Sequence, residues 1–490
     1  MSEQDAGTRG LAAAVAESGR RIVVIDDDPT GSQSVTGLPL VTAWSDDDLA
    51  WAFDQDAPGF FVLANTRSHQ PAEATRIIRE IRAGVARIAA ARGEDFVLIS
   101  RGDSTLRGHF PLETDVLAGT EASDGRPVDA ILLVPAYPEA GRITVDSVHL
   151  VERDGVRTPV GETEYARDAT FGYRSSALPD WVEEVTGGVV RAADVVRLTL
   201  DLIHRDGPDG VADVLRACSG GSVVAVDAVD EEDLRIVALG VLQAEADGAR
   251  ILTRSGPTYV RARCGQERTG ALADTDLERA FATAPDGHGL VAVGSHVGTT
   301  GRQLAQLLDQ GGIASVEIDL PRFLAASRDT GAAFQDAGPA SGGTGDGAPA
   351  FQALVDEAAD AAASLLAESD VAVMTSREVV HGADAAESLW IAGVGSRALV
   401  AVVRAVLDRS APSFVVAKGG ITSNDVATGA LGIRHAEVVG TVLPGIVSLW
   451  RPVGGPSAGV PYVVFPGNVG DDAALAQVVA RVRDAASYRR

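Results

Sequence analysis

From Arg21 onward the chain repeats one pattern: a short, continuously apolar run, a polar cluster, then a stretch with helical spacing. Ile22–Ile25, Phe60–Ala64, Phe96–Ile99, Ala130–Val134 and Val223–Val226 are such runs. Their unbroken apolarity predicts strands buried on both faces. Between the second and third, Ile77, Ile78, Ile81, Val85 and Ile88 recur at the spacing of one helix face, in a stretch running through Ala91. Strand, loop and helix in this order predict βαβ units and a parallel sheet. The pattern weakens between Cys264 and Gly289. It restarts with Leu290–Val293, Val371–Met374, Phe414–Ala417 and Tyr462–Phe465. The expected fold class is therefore α/β: two α/β domains with mainly parallel sheets flanked by helices. The domains are placed at 21–270 and 285–490, behind an N-terminal arm over 1–20 that is polar or a short helix. Residues 145–185 read as irregular. Residues 327–350, rich in Gly, Ala, Ser and Asp, read as a flexible loop.

Composition narrows the function. The 490 residues are 46% hydrophobic and 22% charged, with a mean hydropathy of +0.10. That excludes a wholly disordered chain and a small disulfide-stapled scaffold. The net charge of −26 repels phosphate backbones, so a nucleic-acid partner is not expected. An anionic substrate would need a local cluster of arginines. Two cysteines, Cys218 and Cys264, show no zinc-ligand spacing and read as inert small residues. No uninterrupted apolar run reaches about 18 residues, and the N-terminus lacks the basic start of a signal peptide. A cytoplasmic protein without a membrane partner is expected.

Each polar cluster follows the carboxyl end of a predicted strand, the edge at which open α/β sheets bind ligands. In the first half these are Asp26-Asp27-Asp28-Pro29-Thr30-Gly31, Asn65-Thr66-Arg67-Ser68, Arg101-Gly102-Asp103-Ser104 and Pro135–Glu139, with Asp168–Ser176 as a loop beside the cleft. Three adjacent carboxylates raise each other's pKa and suit a held cation or a substrate hydroxyl, one acting as general base and another binding Mg²⁺. A helix N-cap followed by acidic residues explains them as simply. Arg67 and Arg101 suit bidentate carboxylate recognition, and Asp103 and Ser104 suit sugar hydroxyls. A capped helix start with surface arginines is the plainer alternative.

The second half offers three glycine-rich turns: Gly294–Gly301, Lys418–Asp425 and Pro466–Asp472. Glycines after strands let backbone N–H groups approach phosphates, although such turns are common in α/β folds. None is a Walker A or a clean GxGxxG sequence. His109, His149, His296 and His381 lack metal-ligand spacing and read as hydrogen-bonding groups. Trp390 and Trp450 read as core or rim. Asp26-x-Asp28-x-Thr30 also fits the nucleophile motif of haloacid-dehalogenase-type phosphatases, but the acidic fourth motif would lie in the other domain and a lysine motif is missing.

Taken together, DDDPTG, NTRS, RGDSTLRGHFPLE, PAYPEAGR, DATFGYRSS, GSHVGTTGRQL, TSRE, KGGITSNDVATGALG, TVLPGI and PGNVGDD resemble the four-carbon acid sugar kinase family, formerly a domain of unknown function. The resemblance runs in the family's order from about Arg21 to about Val482. It implies an N-terminal substrate domain and a C-terminal nucleotide domain, with the active site in the cleft between them. It further implies transfer of the γ-phosphoryl group of ATP, with Mg²⁺, to a hydroxyl of a threonate-, erythronate- or 3-oxo-tetronate-type acid.

Carried over position by position, the resemblance assigns substrate contacts to Asp27, Asp28, Arg67, Arg101, Gly102, Asp103 and Ser104, with Asp28 or Asp103 activating the hydroxyl. It assigns ATP contacts to Ser295, Gly419, Gly420, Ile421, Thr422 and Gly467. A metal ligand is not identified, and a homodimer is left open. The chain departs from the family at Arg101, where the family has lysine, and at Ile421, where it has glutamate. Pro466 and Val469 also depart, within the family's Ser-Gly-Asn-Phe-Gly segment. A non-catalytic sugar-acid binder descended from a kinase is the alternative that Ile421 encourages.

Overall fold

The structure is a computed structural model that describes residues 3–487, apart from 154, 269, 296–297, 329–348, 378–379, 381, 444–445 and 468. Most of the expected loop at 327–350 lies outside the described residues, as do His296 and His381. The chain forms two compact units, Met1–Thr269 and Gly270–Arg490.

The first unit contains β1 (Arg20–Asp26), β2 (Leu38–Val41), β3 (Gly59–Leu63), β4 (Asp95–Arg101) and β5 (Ala130–Val134). There follow β6 (Arg142–Val145), β7 (Val148–Arg153) and β8 (Val156–Pro159), then β9 (Val196–Leu198), β10 (Ser222–Val226) and β11 (Ile251–Ser255). Eight of these make an all-parallel sheet in the order β2-β3-β1-β4-β11-β5-β10-β9. Every residue of β3 and β5 is buried, as their unbroken apolarity requires. The helix Pro71–Arg92 starts with proline at its first turn and stops at Gly93, whose φ of 68° a side chain would resist. Its Ile77, Ile78, Ile81 and Val85 are buried, each contributing about 1.5–3 kcal/mol of hydrophobic stabilisation. The N-terminal arm is a helix, Glu3–Ser18, that buries Leu11 and Val15.

One expectation is corrected here. Residues 145–185 are not irregular: β6, β7 and β8 form a small antiparallel sheet, and Leu178–Val185 is a helix. The strand pattern was hidden because an inward position of β7 is filled by His149 instead of an apolar residue. Its ring is fully buried between Thr144 Oγ1 at 2.9 Å and the Ser104 carbonyl at 2.7 Å.

The second unit contains β12 (Leu290–Val293), β13 (Ile313–Ile318), β14 (Asp370–Thr375), β15 (Val415–Lys418), β16 (His435–Leu443), β17 (Val447–Pro452) and β18 (Tyr462–Phe465). They lie in the order β13-β14-β12-β15-β18-β17-β16, with β17 antiparallel to both its neighbours and the other pairings parallel. The helix Ala385–Arg409 contains a stretch, Glu387–Arg409, of mean hydropathy 1.6 that is long and apolar enough to cross a membrane by length and composition alone. Its Val394, Ala398, Leu399, Val402, Val403 and Val406 are buried within the protein, which accounts for that apolarity.

Both units wind the same way. The chain enters each sheet on an inner strand, builds two strands to one side, then crosses to the other side. The reversal lies at β1, between β3 and β4, in the first unit. It lies at β12, between β14 and β15, in the second. Crevices at such switch points, beyond the strands' carboxyl ends, are where open α/β sheets hold ligands.

Candidate functional site

Four strand ends meet at the first switch point, and their side chains form two layers. In the inner layer Asp26 and Asp27 are each 1% exposed and Arg101 is 3% exposed. Arg101 pairs with Asp26, lies 3.7 Å from Asp27 and donates to the Asp28 carbonyl at 2.6 Å. Arg254 on β11 donates to Glu113 Oε2 at 2.5 Å and to Ser100 Oγ at 2.7 Å, and reaches Asp27 Oδ2 at 3.4 Å. Glu113 also accepts from Thr66 Oγ1 and Ser100 Oγ.

The outer layer is partly open to solvent. Arg67 pairs with Asp28 and lies 3.8 Å from Asp103. Arg107 donates to Asp103 at 2.7 Å and lies 3.6 Å from Asp168. Asp28 Oδ1 accepts from the Thr30 amide at 2.7 Å and so caps the short turn Pro29–Ser34, as the N-cap alternative anticipated. The loop after Asp168 leans on this layer. Phe171 meets His109 edge-on at 5.0 Å, and Tyr173 Oη donates to the Thr105 carbonyl at 2.5 Å.

Three glycines make room for the guanidinium groups. A Cβ on Gly31 would stand 2.0 Å from the guanidinium of Arg101, and one on Gly102 would stand 2.1 Å from that of Arg254. A Cβ on Gly108 would crowd both Arg254 and Asp27. The glycines of DDDPTG and RGDSTLRG thus exist for the arginines behind them.

The environment separates the three aspartates. Burial, against the pull of Arg101, pushes the Asp26 carboxyl up to about 7. Burial likewise raises Asp27. Asp28 goes the other way: against the push of burial, Arg67 and Arg101 hold it below its ordinary value. Asp103 is likewise held low, burial being outweighed by Arg67, Arg107 and the Thr105 hydroxyl. Mutual repulsion, expected from the sequence to raise all three, adds to the rise of Asp26 behind burial, but Asp28 moves the other way. Asp28 and Asp103 stand as carboxylates, ready to accept a hydrogen bond from a hydroxyl.

Asp27, Asp28, Arg67, Arg101, Gly102 and Asp103 are thus brought together. Ser104 enters through its carbonyl, which accepts from His149. Arg107, Glu113 and Arg254 were missed by sequence reasoning. The signal for Arg254 was present: an arginine inside the otherwise apolar run Ile251–Ser255 needs a buried partner.

At the second switch point the groups are small. A Cβ on Gly467 would stand 3.2 Å from Ser295 Oγ, and one on Gly419 would stand 3.1 Å from Thr422 Oγ1 and 3.2 Å from Ser295 Cβ. Ser295, Gly419, Thr422 and Gly467 therefore line one cradle. Gly419 has φ 120°, a conformation side chains rarely adopt. Thr300 Oγ1 ties the Ser295 hydroxyl, at 3.3 Å, to the Gly467 carbonyl, at 3.0 Å. The buried Gln303 holds the next loop through the carbonyls of Val469, at 3.0 Å, and Asp471, at 2.7 Å. Gly420 opens the short helix Gly420–Asp425, and Ile421 beside it is 61% exposed.

Sequence reasoning missed two cations here, Arg377 and Lys418. Arg377 donates to the Ser295 carbonyl at 3.0 Å, and no carboxylate among the described residues pairs with it. Among the described residues no group of three His, Cys, Asp or Glu side chains is arranged to hold a metal ion. Cys218 and Cys264 are buried thiols, the latter pushed up to about 12 by burial.

Comparison with known proteins gives each unit a family. Residues 22–263 match the profile of a sugar-binding N-terminal domain, and residues 290–475 match that of a nucleotide-binding C-terminal domain. A Salmonella typhimurium LT2 protein provisionally called a tRNA synthase is 17% identical, with a TM-score of 0.63 over 94% of this chain and 98% of its own. A Haemophilus influenzae protein from a family of unknown function is 15% identical, with a TM-score of 0.59 over 94% and 99%. Both likenesses concern the fold. No curated protein matches the chain. The first unit is therefore a sugar-binding N-terminal domain and the second a nucleotide-binding C-terminal domain, a pairing that fits the four-carbon acid sugar kinase family.

Proposed function

With these two domains as the premise, we propose that the protein is a cytoplasmic, ATP-dependent kinase that phosphorylates a hydroxyl of a four-carbon sugar acid of the threonate, erythronate or 3-oxo-tetronate type. One observation carries the reading: each domain gathers a different recognition chemistry at its own switch point. The first gathers paired arginines and carboxylates. The second gathers a glycine-lined cradle beside an arginine that forms no ion pair with a described carboxylate.

On this reading the substrate carboxylate meets Arg67, the outermost guanidinium between Asp28 and Asp103. Asp28 and Asp103 accept the hydrogen bonds of its hydroxyls and aim one of them at the γ-phosphorus. Because phosphoryl transfer passes through a loose transition state, a low-pKa carboxylate suffices: positioning matters more than basicity. The ATP phosphates lie over the Gly419–Gly420 and Gly467 backbone, with Ser295 and Thr422 at their border and Arg377 offsetting charge. Mg²⁺ would come with the nucleotide, bound chiefly to its phosphates.

The phosphatase alternative requires Asp26 as an open nucleophile. Asp26 is instead buried beneath Arg101, which argues against it.

The test is ADP formation from Mg-ATP with a panel of three- to six-carbon sugar acids. ADP that depends on one four-carbon acid is the expected result. ATP binding by calorimetry without ADP from any acid would favour the non-catalytic binder, for which the exposed Ile421 is the first position to restore to glutamate.

A further inference from the structure

Of the 42 lysine and arginine residues in this chain, Lys418 is the only lysine. The protein uses arginine at every other cationic position, on its surface and in its buried networks alike. A lone lysine in such a chain marks a place that a guanidinium does not fit. The structure supplies the reason. Lys418 ends β15 and is fully buried. Its Nζ donates to the Pro466 carbonyl at 2.6 Å, reaches the Gly467 carbonyl at 3.4 Å, and sits 3.9 Å from the centroid of the Phe465 ring. A compact ammonium fills this space. A planar fork with five donors would be too large and would leave N–H groups without acceptors.

The position of Lys418 connects the parts of the nucleotide cradle. It directly precedes Gly419 and pairs in register with Phe465, which directly precedes Pro466 and Gly467. It thus ties the two glycine turns together from behind, while Thr300 Oγ1 holds the Gly467 carbonyl as well. In a trans peptide the C=O and the following N–H point in opposite directions. Drawing the Pro466 carbonyl toward Lys418 therefore turns the Gly467 N–H away from it. Among the described residues no carboxylate pairs with the ammonium. Burial is the only influence resolved on it, and it draws the group down to about 7. A buried cation with carbonyl and ring partners alone is under-compensated, and a polyanion nearby relieves that deficit.

Resting on the kinase reading above, we propose that Lys418 is a positioning residue of the nucleotide site. It pins the Pro466–Gly467 turn against Gly419 from within the domain, and its charge is completed by the bound nucleotide's phosphates.

A single lysine makes the test direct. Protein carrying ¹³C-labelled lysine gives one side-chain Cε signal, and its titration reads this residue alone. The expected result is a pKa near 7 in the free protein, rising by at least about one unit, a tenfold change in proton affinity, when Mg-ATP binds, and unmoved by adenosine. Lys418→Met and Lys418→Arg should each weaken Mg-ATP binding at least tenfold by calorimetry, while sugar-acid binding stays unchanged. A Cε signal indifferent to bound ATP, or wild-type ATP affinity in Lys418→Met, would overturn the inference and leave the kinase reading standing. Should the variants fail to fold, the wild-type titration decides alone. Wild-type protein that binds no ATP would remove both.

Discussion

At the first switch point four arginines face six carboxyl groups, from Asp26 to Arg254 in the chain, whereas at the second the cradle is glycine, serine and threonine with one lysine behind it. The two sheets reverse direction in the same manner, so the difference lies in what the strand ends carry. A small sugar acid offers a carboxylate and a few hydroxyls at fixed spacing. Recognising it calls for directed side chains, and a dense ion-pair network holds them in place before it arrives. A polyphosphate offers many equivalent oxygens. Backbone N–H groups meet these when no Cβ intervenes. On the proposed reading glycine has two meanings in one chain: in the first domain it makes room for the protein's own guanidinium groups, and in the second for a ligand.

The largest effect expected from breaking this contrast is in turnover. Asp103→Ala removes an acceptor that the arginines keep ionised. It should lower kcat about 10²–10⁴-fold while the protein stays folded, as checked by steady-state ADP release beside circular dichroism. Near-normal turnover would remove Asp103 from the chemistry.

A smaller effect separates the two kinds of glycine. Gly102→Ala drives a methyl group into the guanidinium of Arg254, which Glu113 and Ser100 hold in place, so it should destabilise the protein by about 1–3 kcal/mol. Gly467→Ala meets nothing nearer than Ser295 Oγ at 3.2 Å and Gly419 Cα at 3.7 Å; it should leave the melting temperature nearly unchanged and raise KM for ATP. Thermal melts and ATP titrations of the pair check this. Equal loss of stability in both would erase the distinction.

A further effect is a pH slope. Asp26 holds a proton up to about pH 7 in the folded protein, whereas in the unfolded chain it releases it near 3.8. Its contribution to stability is thus fully present below about pH 4 and is lost as pH rises toward 7, by at most about 1.4 kcal/mol per unit. Asp28 and Asp103, held low, contribute in the opposite sense, with stability lost as pH falls below 4. Asp26→Asn should flatten the decline between pH 4 and 7, as read from urea midpoints across that range. An unchanged slope would show that Asp26 is ionised in the fold.

Much of the molecule was legible in advance. Apolar runs without alternation announced buried parallel strands, and the helical spacing of Ile77, Ile78, Ile81 and Val85 announced a helix packed on one face. The antiparallel sheet around His149 was not legible, because a buried histidine breaks the apolar alternation that reveals a strand. Arg254 and Lys418 were hidden for a related reason. Each sits within or at the end of an apolar run, and the partners that make its burial tolerable come from elements distant in sequence.

By itself, the sequence determined which residues lie at strand ends, since hydrophobic periodicity is a local property of the chain. Tertiary structure decided which of those ends converge, and therefore which charges meet. Asp26, Asp27, Asp28 and Asp103 are the same residue type, within one strand-end motif or its neighbour. Burial lifts the first two and guanidinium groups lower the others. Burial and Coulomb interactions depend on distance in space, and only the fold sets that distance.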